Sequence, residues 1–253
     1  MYCRLALIMI ALLDYGAGNL TSVRKALAHL GAEVTTPATP DDLAHADAII
    51  VPGVGNFEAT AALDDAWRDA ILASVGNGQP MLGICLGMQW LFEESEEAPS
   101  IRGLGLMGGA CAFLGQALVE GGGAAPALSA QSRASNPDSG LERSAPSAAQ
   151  GFILAASRLP PPALKVPHVG WNSLHLRRAS WLLEGIGEGD QVYFTHSFAP
   201  PVTADCAAST NYIVDFASVV ECGHVAGVQF HPEKSGDAGL RILSNFLKRT
   251  RAR

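Results

Sequence analysis

Residues 79–90, QPMLGICLGMQW, constrain this chain more than any other stretch, because they change secondary structure within one Gly-x-Cys-x-Gly step. Pro80 can open a strand, and Met81, Leu82 and Ile84 form the short, nearly continuous apolar run expected of a strand buried on both faces. Leu86 to Glu94 suits a helix, with Trp90, Leu91 and Phe92 available for packing. A strand that enters a helix through two glycines makes a crowded turn, with Cys85 at the top of the strand. The helix N-terminus behind it favours the thiolate, which is the reactive form of cysteine. Taken alone, the motif reads equally as a nucleophile on a sharp elbow and as a buried cysteine in a tight βα turn. A base elsewhere has to decide between them.

Strands and helices alternate around this stretch. The later half of LALIMIALL reads as a first strand rather than a signal peptide or a membrane span, being too short to cross a bilayer and running directly into the turn DYGAGNL. TSVRKALAHLGAEV has a helical pattern, AEVTTPA is a second strand, ADAIIVPG a third, and TAALDDAWRDAILASVG a helix closing at Gly76. This order predicts an α/β domain with a mostly parallel central sheet flanked by helices. Sites in such sheets form at the carboxyl ends of strands, where Cys85 and the Gly-rich PGVGNF of residues 52–57 both fall. DYGAGNL carries Gly16 and Gly18, but Thr21 stands where a dinucleotide fingerprint needs a third glycine, so a plain βα turn is expected.

With 253 residues and 48% hydrophobic content, the chain can bury one sizeable core, and a single domain over 1–253 is expected. Within it, residues 1–8 read as an N-terminal extension, with Met9 an alternative start, and residues 115–163 as a flexible insertion. From Gly115 to Gln150, 23 of 36 residues are Ala, Gly, Ser or Pro with no sustained periodicity, which leaves little apolar surface to bury. GFILAASRLPPPAL, which follows, fits a short strand or a helix equally. A net charge of -7 argues against a nucleic-acid surface. Five scattered cysteines without a Cys-x-x-Cys pair point to reduced thiols in a cytoplasmic protein, with no disulfide frame and no metal site.

The candidate base lies in HVAGVQFHPEKSG, residues 224–236. Val225 to Phe230 reads as a buried strand, and Pro232 prevents a helix from running through its end. In extended backbone, residues two apart project to the same side, so His231 and Glu233 are expected to face one site. A carboxylate beside an imidazole fixes its tautomer and stabilises the imidazolium. Cys85, His231 and Glu233 then supply nucleophile, base and orienting acid.

GICLGMQ and GVQFHPEKSG resemble the class I, or triad, glutamine amidotransferases, a flavodoxin-like fold. DYGAGNL, PGVGNF, PHVGWN (167–172) and YFTHSF (193–198) narrow the resemblance to glutaminase subunits of imidazole glycerol phosphate synthase, over about residues 9–114 and 165–250. The resemblance implies a Cys85 thiolate attacking the side-chain amide of L-glutamine, with His231 protonating the departing ammonia and no cofactor. It implies an oxyanion site from the N–H of Leu86 and that of Val54 after a peptide reorientation that Gly53 permits. Gly55, Gln89, Glu97, Thr195, His196, Ser197 and Phe198 would surround the glutamine. Asn19, His168, Trp171, Asn172, Tyr193 and Lys234 would face a cyclase partner, a (β/α)8 barrel that receives the ammonia. Phe198 stands where the family often has Tyr, and the insertion before Lys165 is longer than the family's usual connection. Competing readings are a glutaminase serving another synthase, a catalytically silent binding subunit, and a cysteine peptidase on a similar scaffold.

Overall fold

The computed structural model describes residues 7–115 and 165–252. The insertion expected over 115–163 lies outside them apart from Gly115, as do residues 1–6 of the expected extension. Ile8, at the end of that extension, is buried and its carbonyl accepts from the Glu33 N–H at 2.8 Å, so this residue is part of the packed domain.

In chain order the strands are β1 (Met9–Leu12), β2 (Glu33–Thr35), β3 (Ala48–Gly53), β4 (Met81–Cys85), β5 (Glu94–Ser95), β6 (Ala110–Phe113) and β7 (His168–Ser173). They continue with β8 (His175–Leu176), β9 (Gln191–His196), β10 (Phe198–Ala199), β11 (Cys206–Tyr212), β12 (Val214–Cys222) and β13 (Val225–Val228). The α-helices are α1 (Leu20–His29), α2 (Asp65–Gly76), α3 (Leu86–Gln89) and α4 (Gly236–Arg251).

An eight-stranded sheet runs in the order β2-β1-β3-β4-β13-β12-β11-β8. The first five strands pair in parallel, and the remaining pairs, β13-β12, β12-β11 and β11-β8, are antiparallel. Apart from the edge strand β2, the parallel strands are largely buried on both faces, which is why they read as near-continuous apolar runs. Alternate side chains go to two separate cores: Ile10, Leu12, Ile50, Leu82 and Ile84 to one, Ala11, Leu13, Ile49, Val51 and Met81 to the other. Helices α1 and α4 close the first core through Val23, Leu27, Ile242 and Phe246, while α2 and α3 close the second through Ile71, Val75, Leu86 and Met88. Burying each such Leu or Ile is worth roughly 1.5–3 kcal/mol.

Several elements differ from the sequence reading for identifiable reasons. The helix expected to begin near Thr60 starts at Asp65, because the Asp64 side chain accepts from the Trp67 N–H at 3.1 Å and caps it. A 3-10 turn, Phe57–Ala62, occupies the residues before it. The helix after Cys85 stops at Gln89 instead of reaching Glu94, since the Trp90, Leu91 and Phe92 carbonyls accept from the N–H groups of Leu104, Leu106 and Gly105. The second strand covers only Glu33–Thr35, and β13 ends at Val228 rather than Phe230. The antiparallel extension, the β7-β9 ribbon and the three-stranded β10-β6-β5 sheet are additions to the expected architecture.

Candidate active site

Cys85 ends β4 with φ 54 and ψ -107, one of two non-glycine residues with positive φ among those described. Such backbone costs about 1–3 kcal/mol and persists only where its surroundings enforce it. The flanking glycines explain the enforcement. A Cβ on Gly83 would run into the Gly87 carbonyl, and a Cβ on Gly87 into the Val51 carbonyl oxygen. The two glycines thus let α3 fold back against β4 and β3, which forces the turn at Cys85. Because α3 has only four residues, the dipole expected behind the sulfur shrinks, and the charge that meets a thiolate comes from elsewhere.

The group placed to carry such a charge is His231, which lies just beyond β13, the neighbour of β4 in the sheet. His231 Nδ1 is 3.0 Å from Glu233 Oε1, and both side chains are buried. The pair does form, but not through continuous extended backbone: His231 is extended and Pro232–Lys234 is a 3-10 turn that brings Glu233 round beneath the ring. Accepting at Oε1, Glu233 fixes the proton on Nδ1. Nε2 is buried and has no hydrogen-bond partner. Burial opposes charge on this ring, yet its interactions with the Cys85 sulfur and then with Glu233 outweigh that and raise the pKa from 6.5 to about 9.

A cavity of about 190 Å³ opens over the sulfur, lined by Gly55, Cys85, Leu86, Gln89, Glu97, Pro167, Thr195, His196, Ser197 and Phe198. All seven residues expected to surround a small substrate are therefore in one wall, together with one expected oxyanion donor, Leu86. The other, Val54, does not line it and is 37% exposed. Glu97 accepts from the Phe57 N–H at 2.7 Å, and partial burial raises its pKa. No group of His, Cys, Asp or Glu suited to a metal occurs among the described residues. Nor is any described helix long and apolar enough to cross a membrane.

The family model of glutamine amidotransferase class-I matches residues 11–250. The chain belongs to the class I glutamine amidotransferases. The imidazole glycerol phosphate synthase subunit HisH of Natronomonas pharaonis is 40% identical over 242 residues, 94% of this chain and 93% of that protein. The subunit HisH of Geobacillus kaustophilus is 40% identical over 243 residues, covering 94% and 96%. The chloroplastic imidazole glycerol phosphate synthase hisHF of Arabidopsis thaliana is 37% identical over 94% of this chain, which spans only 34% of that longer protein. Among solved structures, a glutamine amidotransferase superposes with a TM-score of 0.62 at 17% identity over 95% of this chain and 98% of the other. PurLQS from Thermotoga maritima gives 0.59 at 16% identity over 96% and 98%, so the fold is shared where the sequence has diverged.

Three features of this amidotransferase site were not legible in the sequence. Gln229 is wholly buried, and its Nε2 lies 3.6 Å from Cys85 Sγ. The Tyr15 hydroxyl is buried without a partner beside Gly53 and Leu86; burial, with Cys85 second, pushes its pKa well above the ordinary phenol value. Gly53 has a second reason to be glycine, lack of room: a Cβ would strike that hydroxyl and stand 2.7 Å from Leu86 Cβ. The third feature is a histidine pair. His196 Nδ1 faces the Phe198 carbonyl at 2.9 Å, so it must donate, and its Nε2 then accepts from His168 Nδ1 at 3.0 Å. His168 Nε2 in turn accepts from Asn172 Nδ2 at 3.3 Å. Burial holds both rings neutral, lowering His168 to about 4 and His196 to about 3.

His168 is accordingly an interior residue and not the surface contact expected of it. The other expected contacts are distributed differently. Trp171 and Tyr193 pair across β7 and β9 with rings 6.1 Å apart, and Trp171 is 54% exposed. Lys234 and Asn19 are exposed; Asn19 caps α1, which packs against the turn bearing Lys234. Asn172 is half-buried and also donates to the Asn211 carbonyl.

Proposed function

We propose that this amidotransferase is the glutaminase of an imidazole glycerol phosphate synthase, working by a Cys85–His231–Glu233 triad with a cyclase subunit that is a (β/α)8 barrel. The observation that carries the chemistry is the strained Cys85 elbow beside a buried imidazole whose Nδ1 is held by Glu233 and whose charged form the Cys85 sulfur favours.

The raised pKa of His231 favours an imidazolium at neutral pH, the counter-charge a thiolate needs. The Cys85 thiolate adds to the carboxamide carbon of glutamine, and the oxygen takes the negative charge. Leu86, first residue of α3, offers a main-chain N–H there; one such donor is worth roughly 3 kcal/mol. Nε2–H gives its proton to the departing nitrogen, ammonia leaves, and a glutamyl thioester remains. Nε2 then takes a proton from water, whose oxygen attacks the thioester, and the C–S bond breaks to release glutamate and restore the thiolate.

The second oxyanion donor is Val54, brought in by reorientation of the Gly53–Val54 peptide when the partner docks. Its position outside the cavity wall fits a site completed only in the complex. Trp171, Tyr193, Lys234 and Asn19 supply the docking surface, with Trp171 the exposed aromatic anchor. The exposed edge at Val54 is continuous in chain with the cavity residue Gly55. The hisHF protein, whose name joins both subunits, supports a cyclase as the partner.

The test is a paired assay of glutamine hydrolysis by the purified chain, alone and with the cyclase subunit carrying its ligand. Very low hydrolysis alone and strong stimulation in the complex are expected, together with imidazole glycerol phosphate formed from glutamine. Equal rates in both would overturn the gating, and absence of product with an active glutaminase would assign the chain to another synthase.

A further inference from the structure

Gln229 bears on the catalytic cysteine, and the direction of its side chain follows from the chain of bonds around it. The Phe198 carbonyl can only accept, so the Gln89 atom 2.8 Å away must be the amide nitrogen, Nε2. That nitrogen's second hydrogen points 3.1 Å to Gln229, so the atom it meets must be the acceptor, Oε1. The Gln229 NH2 is thereby left facing Cys85 Sγ at 3.6 Å. The backbone is equally fixed, with the Gln229 N–H donating to the Ser218 carbonyl at 2.9 Å. A neutral thiol here has an alternative partner, donating to the Thr195 carbonyl at 3.8 Å. A thiolate cannot donate, and that carbonyl repels it; among the described neutral side chains, the Gln229 amide is the donor in reach.

We propose that Gln229 is a positioning residue that holds the sulfur of Cys85 as its thiolate, through an N–H bond whose direction is set by Gln89 and the Phe198 carbonyl. A thioester sulfur accepts hydrogen bonds far more weakly than a thiolate does. The bond therefore strengthens as the C–S bond breaks in deacylation and the electron pair returns to sulfur. It weakens when Sγ bonds to the substrate carbon, so its benefit lies in keeping the free thiolate and in releasing the acyl group. This rests on Cys85 being the nucleophile.

The experiment compares Gln229→Met, which keeps the volume and removes the donor, with the unaltered chain in the complex with the cyclase subunit. Loss of a charge-assisted bond should lower kcat for glutamine roughly tenfold or more while KM stays within about twofold. The isolated variant should also lose ultraviolet thiolate absorbance, measured against Cys85→Ala as a baseline, with a modest fall in thermal midpoint because Gln89 Nε2 loses its acceptor. A residue that merely fills space would leave the absorbance and kcat untouched, and that result overturns the inference. If Gln229→Met fails to fold, Gln229→Leu also removes the donor at similar volume, and it should depress kcat to a similar extent; unchanged kcat overturns the inference equally. The two levels separate cleanly: hydrolysis surviving Cys85→Ala sinks the nucleophile assignment, whereas an inert Cys85→Ala beside a fully active Gln229→Met sinks only the role of Gln229.

Discussion

In the parallel half of the sheet, strands β1, β3, β4 and β13 are apolar on both faces and the chemistry is confined to the carboxyl ends. The antiparallel half and the β7-β9 ribbon instead bury polar side chains along their length: His168, His196, Ser209, Thr210 and Ser218. The Ser218 hydroxyl donates to Thr210 Oγ1 at 2.5 Å, and Thr210 to the Ser173 carbonyl at 2.9 Å. Two ways of being rigid follow. Close packing without room for a methyl group holds Cys85 in a strained conformation, whereas a directed hydrogen-bond chain holds the cavity wall. His231 sits where the two halves meet, after β13, whose partners are β4 on one side and β12 on the other.

The largest effect is expected from breaking that junction. His231→Asn should reduce glutamine hydrolysis in the complex by roughly 10³-fold or more, leaving synthesis from added ammonia intact. A variant that keeps a tenth of its glutaminase activity would remove His231 from the mechanism.

Next in size is the packing that enforces the elbow. Gly87→Ala places a methyl group against the Val51 carbonyl and should cost about 1–3 kcal/mol or more in chemical denaturation. Gly76→Ala, at the end of α2 with nothing within 4 Å of the added carbon, should be neutral or stabilise by up to about 1 kcal/mol. Equal effects at the two sites would show that the elbow is not held by close approach.

A smaller effect tests the ribbon's outer face. Trp171→Ala should weaken docking of the cyclase subunit by roughly tenfold, as an anchor residue does. The isolated chain should stay within about 0.5 kcal/mol of its original stability, because Trp171 is exposed. Unaltered affinity would move the docking surface elsewhere.

The smallest effect is on pH dependence, and here the buried histidine pair and the junction histidine, His231, pull in opposite directions. His168 and His196, lowered from 6.5 to about 4 and about 3, stay neutral while the unfolded chain takes up protons, so they remove stability as pH falls below 6.5. His231, raised from 6.5 to about 9, contributes stability in full below 6.5 and loses it as pH rises through about 9. The thermal midpoint should therefore peak near pH 6.5, and His231→Asn should flatten the alkaline side alone. An acid side that flattens instead would reverse the assignment.

The same contrast explains what could be read in advance. Strands β1, β3 and β4 were legible because burial on both faces makes Ile10–Leu12, Ile49–Val51 and Met81–Ile84 nearly uninterrupted apolar runs. The sharp turn at Cys85 was legible because Gly-x-Cys-x-Gly imposes a local backbone, and the nearness of His231 to Glu233 followed from their spacing, although a 3-10 turn and not extended chain brings them together. The ribbon was not, since HVGWNS and QVYFTH mix polar and aromatic residues whose partners lie across the sheet, and nothing local tells a buried histidine from an exposed one. Gln229 was hidden for a related reason: an amide just past an apolar strand has no pattern, and its meaning comes from Gln89, 140 residues away. The length of α3 was misread because the carbonyls of Trp90 to Phe92, just past its end, are claimed by Leu104 to Leu106, which lie beyond the window that periodicity covers.

The central claim is that the sulfur of Cys85 carries the acyl group of glutamine, and the most direct measurement is product formation by the complex containing Cys85→Ala. With glutamine as nitrogen source, formation of imidazole glycerol phosphate should fall to background, while with ammonium salt it should proceed as in the unaltered complex. Glutamine hydrolysis retained by the purified Cys85→Ala chain would contradict the account.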